Sequence, residues 1–360
     1  MNRKILVIGP LNEGALALSY ARAFERLGME VVRFDSERAL RQASRLAGNR
    51  LLRRAMRSRL WNAVNREAMR VAQDVRPALT FAVKCSFFHP ETVREIRRIT
   101  GAPFVNCYPD NPYMGITWDP REASALRRDL IEVLRQYSLV FMWERSLLER
   151  LQRDGVESRY LTFAVDSDVF QPRALSEGLR CEDCNTMHEV AFVGTYTRSR
   201  GAEVSAIRRH TVAIWGIHWP RKWRGLSGQH RAHPPVWGNA VSEIYAQAPV
   251  ALNVLNAESL DGTNMRSFEI PGSGGVMLAR YSREQDEIFP EDEAAAYYRT
   301  PEQIDDKIDE LLRDADLRAR LRRNAIRIAA EHTYDARAAA VLRECGLNEP
   351  SVAAPRSVTI

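Results

Sequence analysis

Residues 261–279 read Asp261-Gly-Thr-Asn-Met-Arg-Ser-Phe-Glu-Ile-Pro-Gly-Ser-Gly-Gly-Val-Met-Leu-Ala279. A polar loop leads into a short helical stretch at Ser267–Glu269, a Gly-rich turn follows, and Val276–Ala279 is an apolar run of the buried-strand kind. A loop feeding a helix N-terminus from a strand end is a ready anion site, because the first amides lack intrahelical partners and the helix dipole favours negative charge. Arg266 adds a planar fork of N–H donors suited to two oxygens of a diphosphate. Glu269, one turn along, can accept two hydroxyl hydrogen bonds, as a ribose diol would offer. Asn264 is a further polar candidate in this loop. Gly272, Gly274 and Gly275 permit positive φ and close backbone approach, so Gly274 and Gly275 are counted with this anion site.

Working outward, the same alternation of short apolar strands and amphipathic helices fills the chain. Upstream of the quoted stretch lie strand patterns at Glu189–Val193, Ala213–Gly216 and Val250–Val254, with a helix at Ser242–Gln247. Near the start, Lys4–Ile8 ends in Gly9-Pro10, a helical pattern covers Ala15–Leu27, and Glu30–Phe34 reads as the next strand. Leu79–Val83, Pro103–Asn106 and Leu139–Phe141 are further strands, separated by helical patterns at Glu91–Ile99 and Arg121–Tyr137. Strands that are apolar throughout imply a parallel sheet covered on both faces, and right-handed crossovers make it doubly wound. The fold class read from this rhythm is α/β, with two Rossmann-like doubly wound domains facing across a cleft. Residues 1–165 form the N-terminal domain and 166–187 the interdomain linker. Residues 188–332 form the C-terminal domain, 333–346 a helix packing back toward the N-terminal domain, and 347–360 a loose tail.

A chain of 360 residues is long enough for two cores, and 45% hydrophobic with 27% charged residues is an ordinary globular composition. No apolar run reaches the roughly 18 residues a membrane span needs, and the start lacks the layout of a signal peptide, so a cytoplasmic protein is expected. Ten arginines against two acids between Glu37 and Arg70, interleaved with leucines and Trp61, make a basic amphipathic stretch. Such a face suits peripheral contact with an anionic membrane or an anionic acceptor. No nucleic-acid reader motif accompanies it, so no nucleic-acid partner is expected. Cys181 and Cys184 form a lone C-x-x-C with His188 four residues on. Zinc would need a fourth ligand that no second C-x-x-C supplies, so no metal is assigned.

The N-terminal strand ends give Gly9–Gly14, Lys84-Cys-Ser and Tyr108–Tyr113 as loops facing the cleft. The first has G-x4-G spacing without the Lys-Ser/Thr of a P-loop, and G-x-G-x-x-G is missing, which argues against dinucleotide oxidoreduction. Asn12, Glu13, Lys84, Asp110 and Asn111 are the candidates there, with Asp110 and Glu13 as the carboxylates for acid–base work. An Asx-type turn before proline is the competing reading of Asp110. Asp166-Ser-Asp168 has the form of a metal-binding D-x-D but lies in the interdomain segment, and reads as a turn and helix-capping pair. His218 stands among Trp215, Trp219 and Trp223, either walling a base pocket or packed in a loop.

Arg266-Ser-Phe-Glu-Ile-Pro-Gly-Ser-Gly-Gly-Val-Met-Leu278 resembles the donor-site signature of CgeB-like glycosyltransferases, a branch of the GT-B fold. Supporting segments follow in order: Phe163–Pro172 is similar to the GT-B interdomain segment, Val190–Arg200 to the first strand and loop of the C-terminal domain, and Ile214-Trp-Gly216 to its second strand end. Tyr245 through Asn253 resembles the helix and strand before the signature. The resemblance covers roughly residues 160–340; the N-terminal half agrees only in rhythm.

It implies a glycosyltransferase using a nucleoside-diphosphate sugar, without metal or other cofactor and with retention of configuration, acting on a glycan, lipid-linked or protein acceptor. It implies that Glu269 holds the donor ribose and that Arg266 and Arg200 contact the diphosphate, with Gly194 and Thr195 supplying further donors. Asp261 stands where related enzymes have a glutamate near the donor sugar. The alternatives are a nucleotide-sugar epimerase of the same fold and a non-catalytic module that binds the nucleotide sugar.

Overall fold

The computed structural model describes residues 2–43, 57–114, 129–172, 179–181, 186–219, 230–256, 259 and 261–347. The chain divides into two compact units: Met1–Leu161 with Tyr334–Ile360, and Thr162–Thr333.

The first unit has strands β1 (Lys4–Gly9), β2 (Glu30–Asp35), β3 (Leu79–Val83), β4 (Phe104–Tyr108), β5 (Leu139–Met142) and β6 (Ser158–Tyr160). They lie in the order β2-β1-β3-β4-β5-β6, every pair parallel. β3, β4 and β5 are buried along their whole length, as their unbroken apolar sequences require when helices cover both faces. Helix Leu16–Arg26 brings Tyr20 and Phe24 onto Phe81, with ring centroids 4.7 and 5.3 Å away. The last helix, Tyr334–Glu344, packs on this same helix: Tyr334 meets Tyr20 edge-on at 5.2 Å, and Arg26 holds Asp335 through bonds of 2.6–2.9 Å.

The second unit opens with an antiparallel hairpin, β7 (Leu179–Cys181) and β8 (Thr186–His188), inside the segment the sequence reads as linker. Strands of three residues are too short to leave a periodic signal. β9 (Val190–Val193), β10 (Val212–Trp215), β11 (Arg231–His233), β12 (Val250–Asn253), β13 (Met277–Arg280) and β14 (Ala296–Tyr298) then form a second parallel sheet, ordered β11-β10-β9-β12-β13-β14. One face packs Phe192, Ile214, Leu252 and Leu278 against Ile304, Ile308, Leu311 and Leu321 of helices Ile304–Arg313 and Ala315–Glu331. The other face uses Ala191 and Ala213 to seat Ile244 and Ala248. The α/β class expected from the sequence is thus observed in both units.

In each sheet the chain builds outward on one side and then crosses to the other. The order reverses between β1 and β3 in the first unit and between β9 and β12 in the second. In sheets of this kind ligands bind outside the carboxyl ends of the strands at the reversal.

The amphipathic pattern of helix Arg57–Val75 has a local use. Val64, Ala68 and Ala72 are buried in the first unit, Arg59 and Arg66 face outward, and exposed Arg70 pairs with Glu67 at 2.7 Å and Asp74 at 2.9 Å. The apolar positions Val64, Ala68 and Ala72 of this helix are thus used in packing, and residues 44–56 of the basic stretch lie outside the described residues. Among the described residues no helix is long and apolar enough to cross a membrane.

Candidate functional site

Helix Arg266–Gly272 starts at the carboxyl edge of the second sheet, so its first residue stands at the reversal point. The Arg266 Nε donates to Asn253 Oδ1 at 3.2 Å, Nη2 to the Val254 carbonyl at 3.0 Å, and Nη1 reaches the Val193 carbonyl at 3.5 Å. The guanidinium also stands over the Phe192 ring, 5.5 Å from its centroid. These acceptors come from the ends of β9 and β12. Three of five N–H groups are directed inward, which leaves one on each terminal nitrogen. Among the described residues no carboxylate forms an ion pair with Arg266. It is a positive group held in place without a counterion from any described residue.

Glu269, on the same first turn, is partly open to water yet surrounded by protein on most sides. Burial pushes its carboxyl up to about 7, against the opposing pull of the Arg266 charge. No hydrogen bond from a described residue reaches that carboxylate. Behind it, Tyr245 is wholly buried and its hydroxyl has no partner among the described residues. Burial and the Glu269 charge raise the Tyr245 phenol, while Arg266 and Arg200 pull it down, so these four groups share one neighbourhood.

The loop after β9 departs from expectation. The Gly194 amide donates to the Trp215 carbonyl at 2.8 Å and the Tyr196 amide to Ile217 at 3.0 Å, continuing the β9–β10 ladder beyond the strands. Gly194 is therefore not a backbone donor for phosphate. Its carbonyl accepts from the Trp219 indole at 2.7 Å, and a Cβ on Gly216 would lie 1.9 Å from that oxygen, so only glycine fits there. Thr197 caps helix Arg198–Ala206 through the Arg200 amide at 3.2 Å. Arg200 is 7% exposed and donates from Nη1 to the Thr195 carbonyl at 2.9 Å. Thr195 and Arg200 thus meet each other first, with Arg200 adding charge from beneath the surface.

Four more expected site residues have other work. Gly274 (φ 76°) and Gly275 end the helix, their amides donating to Pro271 at 2.9 Å and Ile270 at 2.8 Å. This places them just before β13, at the opposite edge of the sheet from Arg266, so neither is a donor contact. Asn264 turns inward, Nδ2 donating to Asn253 Oδ1 at 2.8 Å and Oδ1 accepting the Ser267 amide at 3.1 Å. Asp261 Oδ1 accepts the Arg283 amide at 2.6 Å, at the start of helix Arg283–Ile288, whose N-cap is Ser282.

Asn253, Ser267 and Gln285, all wholly buried, complete the polar cluster under Arg266 and were not singled out from the sequence. The signal was an asparagine ending the otherwise apolar strand Val250–Asn253.

At the carboxyl edge of the first sheet, Glu13 pairs with Arg22 at 2.7 Å, and Lys84 Nζ pairs with Asp110. Asn12 donates to the Glu13 carbonyl at 3.4 Å. The Asx turn belongs to Asn111, whose Oδ1 accepts the Tyr113 amide at 2.9 Å, and not to Asp110. Lys84 and Cys85 both hold left-handed backbone (φ 63° and 50°) directly after β3, beside the β1/β3 reversal. Such strain persists only where the surroundings fix it. Cys85 is buried, and burial raises its thiol far above the ordinary value, which disqualifies it as a nucleophile.

Asp166 accepts the Asp168 amide at 3.3 Å through its side chain and the Val169 and Phe170 amides through its carbonyl, which makes the expected turn; among the described residues no helix begins there for the pair to cap. Trp219 packs on Phe192 and Tyr196, and Trp215 stacks on His233 at 4.7 Å, so these rings support loops; His218 has φ 67°, and Trp223 lies outside the described residues. Cys184 and the Cys181 side chain also lie outside them. Among the described residues no group of three or more His, Cys, Asp or Glu is arranged to hold a metal.

Residues 200–343 match a family model described as Glycosyl transferase-like. No curated protein matches the chain in sequence. Solved structures do match in fold. Sucrose-phosphate synthase from Thermosynechococcus elongatus has a TM-score of 0.68 at 12% identity, covering 95% of this chain and 98% of its own. The Anabaena protein HepE in complex with UDP-glucose has a TM-score of 0.64 at 12% identity, covering 95% and 99%. The T4 phage BGT with its UDP-glucose substrate has a TM-score of 0.58 at 13% identity, covering 96% and 100%. Arg266 and Glu269 thus lie in a segment that is glycosyl transferase-like in sequence, within a chain whose two-domain α/β fold matches GT-B glycosyltransferases over about 95% of its length.

Proposed function

We propose that this chain transfers a sugar from a nucleoside-diphosphate sugar to a glycan, lipid-linked or protein acceptor, as a CgeB-like member of the GT-B enzymes. The observation that supports it most is the pairing of Arg266 and Glu269 on one helical turn at the β9/β12 reversal. One is a fixed cation with two N–H groups left over, the other a carboxylate without a hydrogen-bond partner among the described residues. Arg266 takes the diphosphate oxygens and Glu269 the two ribose hydroxyls. As the bond to the anomeric carbon breaks, negative charge builds on the departing diphosphate, and a preoriented guanidinium stabilises it more in the transition state than in the bound donor. Arg200 adds to the same field. No metal or other cofactor is assigned, and the transfer is proposed to retain configuration. The acceptor is proposed to meet the first unit near Lys84 and Asp110.

A melting-temperature panel of UDP, GDP, ADP and dTDP against the matching nucleosides tests the donor site. One diphosphate should raise the melting temperature well above its nucleoside. Arg266→Ala should remove most of that difference, and Glu269→Ala should weaken nucleoside and diphosphate alike. Equal shifts in wild type and both variants would sink the reading.

A further inference from the structure

We infer that Asn253 is a positioning residue: held by Gln285 and Ser267, it fixes the plane of the Arg266 guanidinium that faces the diphosphate. This rests on the donor-site reading above and adds a residue with no contact to the ligand.

The orientation of each amide follows from one backbone carbonyl. The Arg280 carbonyl can only accept, so it sets which end of Gln285 faces it: Nε2 donates there at 2.9 Å. The Gln285 Oε1 therefore points the other way, toward Ser267 Oγ at 2.7 Å and Asn253 Nδ2 at 3.0 Å. With its nitrogen taken by Gln285, Asn253 must present Oδ1 to Arg266 Nε at 3.2 Å and to Asn264 Nδ2 at 2.8 Å. Asn264 is fixed in the same sense, because its own Oδ1 accepts the Ser267 amide at 3.1 Å. A flipped Asn253 would set an N–H against an N–H at two places. The network admits one arrangement.

That arrangement does more than hold a side chain. Nε is the guanidinium nitrogen nearest the stem, and bonding it to a fixed oxygen removes rotation about the long axis of the side chain. The Val254 carbonyl, 3.0 Å from Nη2, fixes the remaining tilt. Both outward N–H groups are then preset before any ligand arrives, which reduces the ordering cost of binding. The cluster bridges the end of β12, the start of helix Arg266–Gly272 and helix Arg283–Ile288, so three elements converge on one cation.

The test separates aiming from general support by comparing diphosphate with nucleoside. For the responding nucleotide among UDP, GDP, ADP and dTDP, the ratio of nucleoside Kd to diphosphate Kd is measured in wild type, Asn253→Ala, Arg266→Ala and the double variant. Asn253→Ala should shrink the ratio about tenfold or more, the scale of a lost bond to a charged group. In the Arg266→Ala background the same change should do nothing further. Asn253→Asp keeps the acceptor but neutralises the cation, and should shrink the ratio at least as far. Should Asn253→Ala fold poorly, Asn264→Ala removes one of the two donors on Asn253 Oδ1 and should give a smaller drop of the same kind. A lowered melting temperature with an unchanged ratio, or equal effects in both backgrounds, would overturn the positioning role. If Arg266→Ala itself leaves the ratio unchanged, the donor-site reading fails instead.

Discussion

Glu269 stands one turn from Arg266 and does not form an ion pair with it. The arginine is instead drawn toward the strand ends by Asn253, Val254 and Val193, and no described residue donates a hydrogen bond to the carboxylate. Two opposite charges side by side ordinarily neutralise each other, and keeping them apart leaves both available to the nucleoside diphosphate proposed above.

The separation makes donor binding pH-dependent. With Glu269 titrating at about 7, the ionised form that accepts two hydroxyl bonds falls away as pH drops through neutrality. Nucleotide affinity should be steady above pH 8 and weaken below pH 7, approaching about tenfold per pH unit. Glu269→Gln should bind weakly at every pH without that slope. Calorimetric titration from pH 5.5 to 8.5 checks this, and a flat wild-type profile would remove Glu269 from the site.

The same carboxyl should lower the stability of the ligand-free protein. Its folded value lies above the ordinary 4.5, so between these values the folded chain holds more protons than the unfolded one. Stability must then fall as pH rises through that window, with the full deficit present above pH 7. Glu269→Gln should raise the melting temperature at pH 8, by about 1 to 3 kcal/mol of stability, and change little near pH 4.5. Paired melts at the two pH values decide it.

Gly216 should tolerate no side chain. Its Cβ would lie 1.9 Å from the Gly194 carbonyl, a backbone atom held in the ladder between residues 194–196 and 215–217. Gly216→Ala should cost roughly 3 kcal/mol or more. A chemical denaturation midpoint unchanged from wild type would show that the contact is looser than drawn.

Lys84 and Asp110 form an ion pair with side chains 43% and 29% exposed, which supports under about 1 kcal/mol of stability. Activity losses there are consequently separable from unfolding. Asp110→Asn should keep the melting temperature within about 2 °C, and a turnover lowered about 100-fold would mark Asp110 as the base of an inverting transfer, against the retention proposed above. Nucleotide affinity should not move. Undiminished turnover would clear this edge of a catalytic role.

The sequence made the architecture readable because both sheets are buried on two faces, which writes strands such as Leu79–Val83 and Val190–Val193 as unbroken apolar runs. That Arg266 and Glu269 share one helical turn was readable from their spacing. Gly274 and Gly275 misled for a geometric reason. They are close to Arg266 in sequence, but a helix of seven residues carries the chain back across the sheet between them. Asp261 and Asn264 misled differently: a carboxylate or amide in a loop serves a helix N-terminus or a neighbouring amide as readily as a ligand, and the choice depends on elements far along the chain, here helix Arg283–Ile288. Asn253 stayed hidden because a single polar residue ending an apolar strand acquires meaning only from Gln285, which lies 32 residues away.

The placement of helix Tyr334–Glu344 in the first unit bears on how the protein can be taken apart. The second unit is one uninterrupted stretch of gene, Thr162–Thr333, and can be expressed as a fragment by choosing two codons. The first unit cannot, because a stop codon after Leu161 discards Tyr334 from against Tyr20 and Asp335 from Arg26. Making it alone calls for a short artificial joint from Leu161 to Tyr334. In genetic terms the second unit is an insert, and the unit that surrounds it in sequence is the host.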